Sequence, residues 1–311
     1  MNAPSLVAGY PHIAPHELAR VVLRESGQGD RDAVNPAQIL EDLQLDHLSA
    51  DLEREFSQEL RNRASPDKPI AVLSVPDRII ATDPSLSDTA ARFAVLHEIA
   101  HYLLPHHRHS LYLCGTHGMS ASTRLILERE ANSLAADLLF QGDRFALDAS
   151  SHAPTAASMR LLAHKYRAST QLTVRRMVQC SGMACMLAIL TREPGSPALD
   201  PDALPSWHVT DCVASAAFAA RHFARLTGPI PHAIAQRVAA MGDDHGTSVI
   251  DDLHISQGLH ATAVADAASG AARDAGTSPR VHFRCELFRD GDQLLAILTP
   301  PTPHRRYHRS R

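Results

Sequence analysis

The chain has 311 residues, a formal net charge of −4 and a pI of about 6.6, with 44% apolar and 21% charged residues. That length suits about two domains, and the composition is that of a folded protein rather than a disordered or fibrous one. No overall basic field points to nucleic acid, no run approaches the ~18 apolar residues that span a bilayer, and the 20 histidines are by number alone weak grounds for a metal.

The first residues, MNAPSLVAGYPHIAPHE, lack the basic-then-apolar pattern of a signal peptide. Cys114, Cys180, Cys185, Cys212 and Cys285 are odd in number and form no Cys-x-x-Cys. They suit a reducing compartment better than a disulfide framework, so the expectation is a cytoplasmic protein without a membrane partner.

Residues 15–25 carry apolar positions at helical spacing. A second helix begins at Asn35-Pro36, with Asn as cap and Pro in the first turn. Residues 51–63 read as a charged surface helix. Ile70 to Thr82 is β-branched and broken at Pro76-Asp77, which predicts two short strands. Thr89 to Leu104 is apolar almost all round, as in a helix buried within a domain, and Pro105 stops it. A His-rich loop follows, then a helix from about Ser122 to Phe140. Residues 156–179 predict two short helices joined near Ala168-Ser169, with Ser169 as cap, and 185–191 a strand. Glu193 to Ser206 is rich in proline and reads as a linker. An Ala-rich stretch at 261–276 precedes a hairpin, VHFRCELF and QLLAILTP, turning at Asp290-Gly291.

His97-Glu98-Ile99-Ala100-His101 has the form HExxH. Positions i and i+4 lie ~40° apart and one turn along a helix, so both imidazoles leave one face and can reach one ion. Glu98 is then placed to act on the water that zinc activates, as general base, rather than to bind the metal. Chance alone would put the pattern in roughly one such chain in seven. Inside a buried helix, however, two histidines and a glutamate are costly without partners. The metal reading therefore outweighs that of satisfied core or surface groups.

A catalytic zinc needs a third protein ligand and an open position. His107 lies where HExxHxxGxxH places its third histidine, but the eighth residue is Leu104, not the glycine that turns such a chain. His106, His107 and His109 read more simply as an exposed loop. The stronger candidate is Glu128, which falls on the apolar side of its helix with Leu127, Ala131, Leu134, Ala135, Leu138 and Leu139. The competing explanation for Glu128 is an ion pair with Arg92 or Arg124. Glu130 falls on the polar side and reads as a solvated charge.

These residues resemble the ImmA/IrrE family of metallopeptidases. Its HExxH helix is followed by a Glu-x-x-Ala-Asn-x-x-Ala-Ala-x-Leu-Leu helix, matched here by Glu128, Ala131, Asn132, Ala135, Ala136, Leu138 and Leu139. The resemblance covers about residues 15–142 well and 156–190 loosely. It departs at Leu138-Leu139-Phe140-Gln141, where the family often has Leu-Leu-Met-Pro. It implies an α+β, zincin-like fold, with His97, His101 and Glu128 as metal ligands and Glu98 as catalytic base. Zn2+ is the expected ion, with Mn2+ as an alternative. The implied substrate is a protein such as an XRE-type helix-turn-helix repressor. For an oxyanion stabiliser, Tyr102 and His117 are candidates by chemistry alone.

The expected organisation is a peptidase domain over 1–148, a helical, helix-turn-helix-like segment over 149–192 and a linker over 193–206. A C-terminal α+β domain, GAF-like by analogy with some relatives, spans 207–300, and a basic tail 301–311. Arg160, Lys165, Arg167, Arg175 and Arg176 make the helical segment basic, so DNA binding is possible, but support of the peptidase domain is favoured. The rival reading of the whole chain is a non-catalytic DNA- or partner-binding regulator with a structural metal site.

Overall fold

Proline and asparagine set the first described elements of the chain, seen in a computed structural model. It describes residues 14–29, 32–55, 70–107, 121–192, 207–222, 225–226, 232–241, 246–256, 261–262, 280–291 and 293–301. Pro15 opens helix α1 (Pro15–Glu25). Asn35 caps α2 (Pro36–Leu43), its side-chain oxygen accepting the Ala37 N–H at 3.2 Å. The expected helix over 51–63 is described only as the short α3 (Leu52–Glu55); the remainder lies outside the described residues. The chain divides into two units, Met1–Leu147 with Ala163–Ser169, and Asp148–Leu162 with Thr170–Arg311.

In the first unit the two predicted strands are β2 (Ala71–Ser74) and β3 (Ile79–Thr82), paired antiparallel with Ala71 opposite Thr82. A strand not expected from the sequence, β1 (Asp46–Ser49), runs parallel to β3 on its other side, giving the order β1-β3-β2. Arg78 takes the left-handed conformation between β2 and β3. Its guanidinium donates to the carbonyls of Leu43 and Gln44 (2.9 Å to Gln44), satisfying the end of α2 where the chain enters β1.

Helix α4 (Asp88–Leu103) packs on β2 and β3. Ser87 caps it, accepting the Ala90 N–H at 3.4 Å. From Ala94 to Leu103 all of its residues except His97 are buried. The helix stops because Pro105 disfavours helical backbone at the residue before it; Leu104 is extended, with φ −82° and ψ 109°. Helix α5 (Ala121–Leu139) packs against α4, bringing fully buried Ala131 and Ala135 into the core. Such small residues let two helix backbones approach closely. Where the resembled family often places proline, two left-handed residues, Gln141 and Gly142, turn the chain instead. Phe140 is buried against Phe145, their ring centroids 4.6 Å apart.

Next come α6 (Asp143–Ser150), α7 (Ala156–Tyr166) and α8 (Thr170–Cys180), with left-handed Arg167 at the joint between the last two. The second unit holds a five-stranded antiparallel sheet in the order β5-β4-β10-β9-β7. Its strands are β4 (Met186–Arg192), β5 (Trp207–Ala214), β7 (Thr247–Ser256), β9 (Arg280–Asp290) and β10 (Gln293–Thr299). The predicted C-terminal hairpin is β9–β10, with Asp290 opposite Gln293 and Gly291 at φ 58°. The proline-rich stretch 193–206 lies outside the described residues, and the strands flanking it, β4 and β5, are paired neighbours. The Ala-rich stretch is described only at Ala261–Thr262, which is β8 and pairs with β6 (Arg225–Leu226). Helices α9 (Ala216–Arg221) and α10 (His232–Met241) complete the unit. Its core gathers Met186, Leu190, Trp207, Phe218, Val238, Phe283 and Leu298. The unit is therefore mixed α+β, and it takes in α8 and β4 as well as the residues after 206.

Candidate metal centre

One turn of α4 separates His97 from His101, and the buried packing of that helix fixes both rings. Their Nε2 atoms lie 3.1 Å apart. From α5, the Glu128 carboxylate reaches the same point, with its oxygens 3.2 Å from His97 Nε2 and 3.8 Å from His101 Nε2. All three ligand atoms lie within 4.8 Å of one another. Neither Arg92 nor Arg124 is needed to explain Glu128, and Arg92 donates instead to the Val34 carbonyl at 2.6 Å. Glu98, buried on α4, adds a second negative charge that raises the pKa of His97.

The electrostatics ask for a cation. Hydrogen bonds from His101 and His97 hold the Glu128 carboxyl far below the usual carboxylate range. Burial works against a charged His97, yet Glu128 and Glu98 overcome it and raise its pKa. In the metal-free protein the cluster thus favours a positive charge at its centre, which a proton or a divalent ion can supply. Two imidazoles and a carboxylate are also the donor set of a catalytic zinc. The residues fit such an ion.

Each histidine has its other nitrogen occupied. His97 Nδ1 lies 3.1 Å from Asn132 Oδ1, one helical turn beyond Glu128 on α5. His101 Nδ1 lies 2.9 Å from Nδ1 of His107. Bonds of this kind fix the ring orientation and tautomer of a metal-binding histidine.

Two expectations need correction. His107 is not part of an exposed loop: residues 105–107 are helical, and its side chain is fully buried. Glu130 is not simply a solvated charge. Its Oε2 lies 2.7 Å from His106 Nε2 and 2.9 Å from His107 Nε2. A helical wheel of α5 captures only the side facing the core, whereas the chain folding back after Pro105 covers Glu130 on another flank. His106, His107 and Glu130 also have ligand atoms close enough together to hold an ion. Burial pushes the His107 pKa down to about 4, outweighing the Glu130 hydrogen bond that favours its charged form. Of the oxyanion candidates, Tyr102 is buried with the Arg78 guanidinium 5.8 Å from its ring centroid, and His117 lies outside the described residues.

Two of the basic residues considered for DNA have partners within the second unit. Arg175 is paired with Asp211, and the Arg160 guanidinium sits 5.5 Å from the Phe288 ring centroid. Among the described residues no helix is long and apolar enough to cross a membrane.

No curated protein matches the chain. Among solved structures, a Mycobacterium tuberculosis transcriptional regulator shares the fold, with a TM-score of 0.54 at 13% identity, covering 96% of this chain and 81% of that one. The model of the M78 peptidases, described as an IrrE N-terminal-like domain, matches residues 54–178. That stretch contains His97, Glu98, His101 and Glu128 together, so residues 54–178 match the IrrE N-terminal-like domain of the M78 peptidases.

Proposed function

We propose that the protein is a zinc-dependent endopeptidase in which His97, His101 and Glu128 hold the ion and Glu98 is the catalytic base. The observation that carries this reading is the convergence of two Nε2 atoms and one carboxylate from α4 and α5 on a single point, with the Glu98 charge near enough to raise the His97 pKa. When bound there, zinc supplies Lewis acidity that brings the pKa of a water near 7. Glu98 takes a proton from the attacking water and passes it to the leaving amine. The buried walls of α4 hold Glu98 in place and limit its solvation. Manganese offers the same charge and accepts the same donors, though histidine ligands suit zinc well.

As substrate we favour a protein, in particular an XRE-type helix-turn-helix repressor, which makes the enzyme a regulator of transcription and stress response. The C-terminal α+β unit then serves as a sensory module of GAF-like kind. Cys185, Cys212 and Cys285 are thiols outside any disulfide, which supports a cytoplasmic setting. The rival reading, a non-catalytic regulator binding DNA or a partner, draws on the basic residues of α7 and α8 and on the description of the structural neighbour. The pairing of Arg175 and Arg160 within their own unit weakens it, and so does Glu98, for which a purely structural ion has no use.

The test is to incubate the purified protein with each repressor encoded near its gene, with and without a chelator, beside Glu98→Gln. The expected result is chelator-sensitive cleavage that falls by about 10²–10⁴ in the variant while bound metal is retained. Cleavage at the wild-type rate by Glu98→Gln would exclude the assigned base.

A further inference from the structure

We propose that His107 and Glu130 are positioning residues which set the tautomer of His101 and so prepare it to bind metal; the inference rests on the metal-site reading above. Glu130 Oε2, His107 and His101 form a continuous chain. The carboxylate lies 2.9 Å from His107 Nε2, and His107 Nδ1 lies 2.9 Å from His101 Nδ1. At the far end of the chain, His101 Nε2 faces His97 and Glu128.

Counting protons along this chain leaves one arrangement that satisfies every nitrogen. To bind an ion through Nε2, a neutral His101 must carry its hydrogen on Nδ1. That hydrogen points at His107 Nδ1, which must then be an acceptor. A neutral His107 accepting at Nδ1 has its hydrogen on Nε2, where Glu130 accepts it. Turning the chain round gives the opposite outcome. With its hydrogen on Nδ1, His107 would donate to His101, whose own hydrogen would move to Nε2 and occupy the place of the metal. The Glu130 carboxylate, which can only accept when ionised, selects the first arrangement. His106, with its Nε2 2.7 Å from the same carboxylate oxygen, helps to hold Glu130 there.

The same count argues against a second ion bound by His106, His107 and Glu130. An ion on His107 Nε2 would move that ring's hydrogen to Nδ1, 2.9 Å from His101 Nδ1. With His101 also loaded, two N–H groups would face each other with no acceptor between them. The two clusters cannot both be filled without loss of a proton, so the outer one orients the inner.

The relay also accounts for an asymmetry in the site. Asn132 on α5 reaches His97 directly. His101 lies one turn further along α4 and receives its orienting carboxylate through His107, which the break at Leu104-Pro105 folds back beneath it.

The experiment uses the full chain and titrates zinc against a chromogenic chelator for wild type, Glu130→Ala, Glu130→Gln, His107→Phe and His107→Asn. Glu130 is partly exposed, so its variants test the relay without emptying the core. The expected result is one zinc per wild-type chain, with affinity weakened 10–100-fold in Glu130→Ala and His107→Phe. His107→Asn, whose amide oxygen can still accept from His101, and Glu130→Gln, which keeps an acceptor, should recover part of the loss. Nitrogen-15 NMR of the metal-free protein supplies an independent reading. His107 should carry its hydrogen on Nε2 in wild type and redistribute it in Glu130→Ala. Wild-type affinity in both Glu130→Ala and His107→Phe would overturn the relay while leaving the metal site intact. Two zinc ions per wild-type chain, one of them lost in His106→Ala, would also overturn it. A wild-type chain that binds no zinc would remove the metal-site reading as well.

Discussion

Glu128 and Glu130 are two positions apart on one helix and differ in what they meet. Glu128 shares its point with two Nε2 atoms across from α4, whereas Glu130 meets the imidazoles of His106 and His107. Apolar periodicity in α5 places Glu128 on the flank that meets α4, where its side chain is still 46% exposed. It could not find Glu130, because the wheel describes one helix and the partners of Glu130 come from a turn made after Pro105. For the same reason the burial of His107 is not legible: its spacing from His97 suggests only a ligand lacking its glycine, and nothing local announces a buried ring behind His101. Asn132 was visible in the motif, but its use became clear only from the 3.1 Å approach to His97 Nδ1. Replacing it with alanine should therefore weaken zinc affinity about tenfold without changing the number of ions bound. A chelator competition checks this, and unchanged affinity would mean that Asn132 is a packing residue.

At the scale of elements, local chemistry marked the helices well. Asn35 before Pro36 and Pro105 after the buried run set boundaries that the structure reproduces within a residue or two, while the cap at Ser87 is seen only in the structure. Strand β1 was missed because Asp46–Ser49 is exposed throughout and has neither alternation nor a run of β-branched residues; it is a strand because β3 offers it a parallel edge. In the second unit, Ser215 is the clearest single support. It is fully buried, donates to the Met183 carbonyl at 2.8 Å, and accepts the N–H groups of Cys185 (3.1 Å) and Phe218 (3.2 Å). It thereby joins the start of α9 to the strand entry at Cys185. Ser215→Ala leaves these groups short of partners in a dry interior and should cost about 1–3 kcal/mol, measured by denaturant unfolding. A loss below a few tenths would show that neighbouring groups re-form the bonds.

For the whole molecule, sequence composition and tertiary contacts divide the chain by different signals. The proline-rich stretch suggested a boundary near 193–206. Yet β4, before it, pairs with β5 after it and with β10, about a hundred residues further along the chain. Pairings of such sequence separation leave no local trace, which is why the hairpin β9–β10 was legible and the sheet around it was not. The thiols follow this buried sheet. Burial pushes the pKa of Cys285 up to about 12 and raises that of Cys185, so neither forms thiolate near neutral pH. Iodoacetamide at pH 8 should label Cys212, which is partly exposed, in the native protein. It should reach Cys185 and Cys285 only after unfolding, as peptide mass spectrometry would report. Native labelling of Cys285 would show that the sheet opens.

The account centres on one divalent ion held by two helices, and metal content after gel filtration tests it most directly. Wild type and Glu98→Gln should each carry one equivalent, while His97→Ala, His101→Ala and Glu128→Ala should carry almost none. A full equivalent retained by a folded Glu128→Ala would contradict the assignment.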